Sequence, residues 1–158
     1  MALTQEVLNN FLAKTNMKVL NKSDIIALNT TTYLPNQIIN SYILIDNVII
    51  SNNICWCFYQ EKSLISTSDK LNEFIKSIYN FSCNKAMYYI GIYITKKKVT
   101  NTMLNLVTNI NLNNAYGIIH IINESNNDII LNKIQELFHS NNMFMYDKNS
   151  DTIMGSYL

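Results

Sequence analysis

The sequence predicts an α+β fold in which a central mixed sheet is flanked by helices. Segments with apolar residues at helical spacing alternate with segments rich in β-branched and aromatic residues through the second half of the chain. The chain has 158 residues, of which 48% are hydrophobic, so it is long enough to bury a sizeable core. Because no linker or internal repeat divides it, we expect one domain over residues 1–158.

Four segments have the apolar spacing of amphipathic helices. The predicted helices span residues 4–16, a segment that begins at Pro35 and Asn36, residues 67–81 and residues 129–140. Proline is favoured in the first turn of a helix, which supports the second of these. We expect Asp128 to cap the last helix, since a short acidic side chain suits that position.

The strand predictions come from runs of β-branched and aromatic residues. Residues 47–60 predict a strand, a turn and a second buried strand, and residues 116–123 predict another core strand. Residues 86–100 form the clearest strand pattern, with Lys96-Lys97-Lys98 as a candidate hairpin turn. Residues 23–29 are expected to form a short apolar turn or strand, and the tail after residue 140 a last short strand.

Charge and composition argue against two classes of partner. The net charge is +1 and arginine is absent, whereas nucleic-acid binders usually carry a basic stripe and use arginine for bidentate contacts. No apolar run approaches the roughly 18–20 residues that a membrane span needs. We therefore expect neither nucleic acid nor a membrane as a partner.

The cysteine count and the residue bias bear on where the chain works. Three cysteines and no secretory signal make a disulfide framework unexpected, so the predicted location is intracellular, in cytoplasm or nucleus, or within a virion. The abundance of asparagine and isoleucine indicates an AT-rich genome, such as that of a virus or another pathogen.

No motif points by itself to a metal, a cofactor or a catalytic group. Cys55-x-Cys57 could begin a zinc site, but Cys83, His120 and His139 show no paired spacing that would complete it. A pairing of one of these cysteines with a histidine, in a thiol enzyme, stays open because such partners meet in space. Four glutamates are expected on the surface: Glu61, Glu73, Glu124 and Glu136.

The stretch "YLPNQIINSY", residues 33–42, resembles a motif of the ubiquitin-like-protein proteases, the SUMO-deconjugating cysteine proteases and their viral relatives. In that family a Trp-Leu-Asn-Asp motif precedes a helix with paired isoleucines. Here Tyr33 stands for the tryptophan, Leu34 is kept, Pro35 replaces the first asparagine and Asn36 stands for the aspartate.

The resemblance continues over roughly residues 24–138. The stretches that carry it are "NNICWCFYQEKSL", "AMYYIGIYITKKKV" and "GIIHIINESNNDIILNKIQELF". They resemble the family's segment before the central helix, its histidine-bearing strand, and its final strand, loop and cysteine-bearing helix. The resemblance implies a papain-like core of the ubiquitin-like-protease type.

The residues at the family's catalytic positions differ from the family pattern. Met87 stands at the histidine and Leu104 at the aspartate, unless a small shift places Asn101 or Asn105 there, and Asn132 stands at the cysteine. A thioether cannot accept a thiol proton, and a carboxamide is not a nucleophile.

The other alignment choices lead to the same conclusion. The glutamine that donates to the oxyanion falls near Asn126, and a rival alignment puts Tyr116 at the nucleophile. Both alignments lack a usable thiol, so the resemblance implies a pseudoprotease without catalytic residues. The expected function is non-catalytic binding of a protein.

The resemblance also implies which residues would bind. The family's two tryptophans clamp the tail of a ubiquitin-like modifier, and Tyr33 and Tyr88 stand at those positions, with Leu34 and Asn36 beside Tyr33. The expected partner is a ubiquitin-like modifier, a host factor or a second copy of the chain. A viral structural or accessory assembly protein unrelated to such modifiers is the main alternative, and the thiol enzyme is the second.

Overall fold

The computed structural model describes the chain in nine stretches. These are residues 5–15, 17–25, 44–51, 53–62, 68–84, 87–112, 116–141, 145–147 and 152–154, with the backbone alone for 82–84 and the last two stretches. The helix expected at Pro35, and with it Tyr33, Leu34 and Asn36, lies outside the described residues.

The described elements alternate between helices and strands. In chain order they are α1 (Gln5–Ala13), β1 (Val19–Leu20), β2 (Asn47–Ser51), β3 (Ile54–Gln60), α2 (Ser68–Asn84), β4 (Tyr88–Thr95), α3 (Asn101–Leu112), β5 (Gly117–Asn123), α4 (Asn127–Ser140), β6 (Met145–Asp147) and β7 (Thr152–Met154).

Five of the described strands form one mixed sheet in the order β1-β2-β3-β4-β5. The first three are antiparallel neighbours, and β3, β4 and β5 are parallel. The two parallel connections pass through α2 and α3, as parallel strands require a crossover. The predicted fold class, α+β with a central mixed sheet flanked by helices, is confirmed. A separate two-stranded sheet joins β6 and β7.

The helices cover both faces of the sheet because successive strand residues point to opposite sides. We call one side the tyrosine face, which packs against α2 and α3 through Cys55, Cys57, Tyr59, Tyr89, Gly91, Tyr93 and Ile119. The other side is the isoleucine face, which packs against α1 and α4 through Trp56, Phe58, Ile90, Ile92, Ile94 and Ile122.

Gly91 in β4 allows α2 to lie close to the tyrosine face. A Cβ atom added there would come within 2.6 Å of the terminal methyl groups of Ile78 and Ile119. The glycine is therefore required by packing in the middle of a strand, a position where glycine is otherwise unfavourable.

The segment after β4 corrects one prediction. A hairpin at Lys96-Lys97-Lys98 is wrong, since β4 pairs in parallel with β5 and the chain instead enters α3. Thr100 begins this helix: its side-chain Oγ1 accepts a hydrogen bond from the Met103 amide at 3.2 Å, and its carbonyl accepts one from Leu104. This is the N-terminal capping that threonine provides.

The predicted cap of α4 is wrong, whereas the described part of residues 23–29 agrees with the turn alternative of its prediction. Asn126, and not Asp128, is the N-cap of α4, since its Oδ1 accepts hydrogen bonds from the Asp128 and Ile129 amides. Within residues 23–29, the described part belongs to a helical turn at 22–25. Asn21 and Asp24 hold that turn through two reciprocal side chain-to-backbone hydrogen bonds.

Candidate protein-interaction surface

The three residues at the family's catalytic positions do not share a cleft. Met87 precedes β4 and packs, partly buried, against the core of the tyrosine face. Leu104 is an exposed residue of α3, on the same side of the sheet. Asn132 is exposed on α4, which covers the isoleucine face, so the sheet separates it from the other two. The geometry therefore lends no support to a remnant triad groove, and the family resemblance stays a prediction.

The two described thiols are poor candidates for a nucleophile. Cys55 and Cys57 are fully buried on the tyrosine face, with their Sγ atoms 3.6 Å apart. Burial raises the pKa of the Cys57 thiol well above its usual value, and the hydrogen bond with Cys55 raises it further. A thiol must ionise to attack, so this environment keeps Cys57 unreactive at neutral pH.

The histidines lie across the sheet from these thiols. His120 shares the isoleucine face with Ile118 and Ile122, and burial lowers its pKa below the ordinary value. His139 belongs to α4, on that same side. Neither histidine can therefore pair with Cys55 or Cys57 through the sheet, while the side chain of Cys83 lies outside the described residues.

We find no candidate metal site in the part of the chain that the structure describes. No group of three or more histidine, cysteine, aspartate or glutamate side chains there is placed to hold an ion. Cys55 and Cys57 are buried small side chains of the core rather than an open half-site.

Glu61 is buried, whereas the sequence predicts that it lies on the surface. The residue is only 6% exposed, and its carboxylate accepts a hydrogen bond of 2.9 Å from the Tyr93 hydroxyl. Nearby, the Asp46 carboxylate accepts a hydrogen bond from the backbone amide of Gln60 at 3.0 Å. Burial, followed by the charges of Glu61, Asp46 and Glu73, raises the pKa of Tyr59. The surface prediction for Glu61 is wrong, whereas Glu73 and Glu136 are exposed.

A partly buried amide cluster, which the sequence analysis missed, joins α1 to β2. The Gln5 amide donates to Asn9 at 3.0 Å and also to Asn47, and Asn47 donates to Asn9 at 2.8 Å. Gln60, only 2% exposed, projects from the same face, and its side-chain carbonyl finds no hydrogen-bond partner among the described residues. Asparagine and glutamine inside apolar segments were the available signal, because buried amide groups need hydrogen-bond partners.

The strongest exposed feature is an aromatic pair at the end of the sheet where β4 and β5 begin. The rings of Tyr79 and Tyr116 meet edge to face, with centroids 6.0 Å apart and planes at 86°. Tyr79 is 45% exposed and Tyr116 59% exposed. Leu112, 79% exposed, ends α3 at this same end of the sheet.

We call Tyr79, Leu112 and Tyr116 the tyrosine-pair surface. Met87, partly buried, precedes β4 at this end of the sheet and packs on the tyrosine face, whereas Tyr88 packs on the isoleucine face. Tyrosine and methionine are enriched in protein interfaces, and large exposed apolar groups that cluster mark contact sites more often than single ones do. The arrangement can bind an apolar surface of another protein. Tyr88, the one predicted binding residue that the structure describes, packs on the other face of the sheet.

Comparison of the chain with protein-family models, curated proteins and solved structures finds no match. Among the described helices, none is both long enough and apolar enough to cross a bilayer.

Proposed function

We propose that the chain is a non-catalytic domain that acts by binding another protein through the tyrosine-pair surface. The observation that carries this proposal is the edge-to-face contact between Tyr79 and Tyr116, which holds two large, exposed rings together at the surface. Tyrosine offers a large contact area and few rotatable bonds, so its immobilisation on binding costs little entropy.

The elements that carry these rings are anchored in the core. Tyr79 follows the buried Ile78 in α2, and Phe81 two residues later is also buried. Tyr116 precedes Gly117, where an added Cβ would come within 2.5 Å of the Tyr89 side chain and backbone. A preformed surface loses less free energy when it binds than a flexible one does.

The state of the thiols supports a binding role over the thiol-enzyme alternative. Cys55 and Cys57 are buried, and His120 is on the opposite face of the sheet. Removal of the general base alone costs several orders of magnitude in rate in sites that use a nucleophile and a base. A cysteine–histidine enzyme would therefore need the side chain of Cys83.

The proposal keeps the partner classes that the resemblance implies. A ubiquitin-like modifier or a host factor is the proposed partner, bound in the cytoplasm, in the nucleus or within a virion. The finer fold prediction, a ubiquitin-like-protease-type core, belongs to this proposal as well. Tyr88 is the one residue of the implied clamp that the structure describes, and it packs, partly buried, on the isoleucine face at the start of β4.

The test is a binding measurement with matched variants. The chain is titrated with a panel of ubiquitin-like modifiers, and partners captured from host-cell extract are titrated in the same way. Tyr116→Ala and Tyr79→Ala should each weaken binding at least about tenfold, as expected when an interface aromatic is truncated. Ile129→Ser, at an exposed position on α4, is the control and should bind as the wild type does.

Two results would contradict the proposal. One is equal affinity of the wild type, Tyr79→Ala and Tyr116→Ala for every partner found. The other is cleavage of an isopeptide-linked substrate by the purified chain. Self-association that Tyr116→Ala abolishes would instead identify the partner as a second copy, the assembly role that the sequence offers as an alternative.

A further inference from the structure

The strand β5 lies at one edge of the sheet. Among the described strands its one neighbour is β4. The Tyr89 amide donates to the Tyr116 carbonyl at 3.0 Å, so the backbone groups of residue 116 point toward β4. Because the direction alternates along a strand, residues 117, 119, 121 and 123 direct their N–H and C=O groups away from the sheet.

A side chain of α3 covers the middle of this edge. The Asn111 Nδ2 donates to the Ile119 carbonyl at 2.8 Å, and the Asn111 Oδ1 accepts from the Ile119 amide at 2.8 Å. A carboxamide carries the same donor and acceptor as a peptide group. Asn111 therefore pairs with Ile119 as a residue of a neighbouring strand would.

The edge needs such protection because of its composition. β5 reads Gly-Ile-Ile-His-Ile-Ile-Asn, seven residues with no lysine or proline. Edge strands of this kind are templates for pairing with another chain, and natural sheets block them with charges, proline, bulges or covering groups. The opposite edge, β1, has only two residues and is protected by its shortness.

We infer that Asn111 is a strand surrogate that keeps β5 from pairing with β5 of a second copy. Antiparallel pairing of two copies about Ile121 would place residue 119 opposite residue 123, with residues 119, 121 and 123 in hydrogen-bonding positions. That ladder requires the Ile119 N–H and C=O, and Asn111 occupies both. The inference does not depend on the tyrosine-pair surface.

The experiment measures self-association by sedimentation velocity over a range of protein concentrations. Asn111→Ala should associate at least about tenfold more tightly than the wild type, since it frees two edge groups. Asn109→Ala, at an exposed position two residues earlier in α3, should behave as the wild type does. Adding Ile121→Pro to Asn111→Ala should restore the monomer, because proline removes an outward N–H that β4 does not use.

If Asn111→Ala does not fold, a second measurement, made on the wild type, tests the inference. The Ile119 amide should exchange its hydrogen at least about tenfold more slowly than the Ile121 amide, which has the same outward direction. Equal exchange of the two amides would overturn the inference. So would a folded Asn111→Ala that stays monomeric at every concentration, or association that Ile121→Pro leaves unchanged.

Discussion

The two faces of the sheet are built from alternate residues of the same strands, yet they bury different chemistry. Along β4 the residues Tyr89, Gly91 and Tyr93 point to one side, and Ile90 and Ile92 point to the other. The tyrosine face includes two thiols, a buried carboxylate and several phenol rings, whereas the isoleucine face is aliphatic with a few large aromatic rings.

The two faces of the sheet are therefore stabilised in different ways. On the isoleucine face, stability comes from burial of apolar area and from close packing, as in the edge-to-face contact of Trp56 with Phe138 at 4.8 Å. On the tyrosine face, part of the stability depends on hydrogen bonds to groups that cannot reach water, such as Glu61. The two faces should therefore respond differently to substitution and to pH.

The largest effect is expected from the isoleucine face. Phe138→Ala removes a fully buried ring that contacts both Trp56 and Phe58, and should lower the free energy of unfolding by about 3–5 kcal/mol. Urea unfolding followed by circular dichroism measures this. Leu137→Ala, at a half-buried neighbour, is the control and should cost clearly less. A loss no greater than that of the control would mean that α4 does not pack as described.

A smaller effect, of a different kind, is expected from the tyrosine face. Tyr93→Phe keeps the ring and removes the hydroxyl that donates to the Glu61 carboxylate at 2.9 Å. The free energy of unfolding should fall by about 1–3 kcal/mol, since the buried acceptor loses a charge-assisted hydrogen bond. Tyr116→Phe, at an exposed ring, should be close to neutral in the same assay. Equal losses in the two variants would contradict a buried Tyr93–Glu61 pair.

The smallest effect is a pH dependence from the isoleucine face. Burial lowers the pKa of His120 below its ordinary 6.5, so the folded chain binds this proton less readily than the unfolded chain does. The resulting stability is present above pH 6.5 and is lost as the pH falls through the lowered pKa. Among the described residues, Lys133 and Glu136 of α4 are the charged groups that line the same cleft as His120.

Urea midpoints measured between pH 7.5 and pH 5 test this dependence. The midpoint of His120→Gln should fall less steeply with acidification than that of the wild type. Identical slopes for the wild type and His120→Gln would show that His120 is not the titrating group.

Much of the fold can be predicted from the sequence because the patterns are local. The strands over 47–60, 86–100 and 116–123 and the helices over 4–16, 67–81 and 129–140 all correspond to observed elements, with shifted ends. Their apolar periodicity directly reflects which side chains enter the core. Asn101–Leu112 was not predicted as a helix, although Met103, Leu106, Val107 and Ile110 follow helical spacing. Its asparagine and threonine residues have low helix propensity and obscured that pattern.

The candidate surface could not be predicted, because it joins distant segments. Tyr79 and Tyr116 are brought together by α2 and β5, and nothing local to either residue indicates the contact. The same holds for Glu61, whose burial depends on Tyr93 in the neighbouring strand. Asn111 also gives no local sign that it pairs with Ile119, since an asparagine in a helix is ordinarily a solvated side chain.

The chain contains a single tryptophan, and its position decides what an optical experiment can detect. Trp56 belongs to β3, is 1% exposed and packs against Phe138 of α4. Its fluorescence will therefore report on the release of α4 and on solvent entry beneath that helix. A partner that docks on Tyr79 meets α2, which packs on the opposite face of the sheet from α4, so a label attached beside Tyr79 is a more direct reporter of such binding than Trp56.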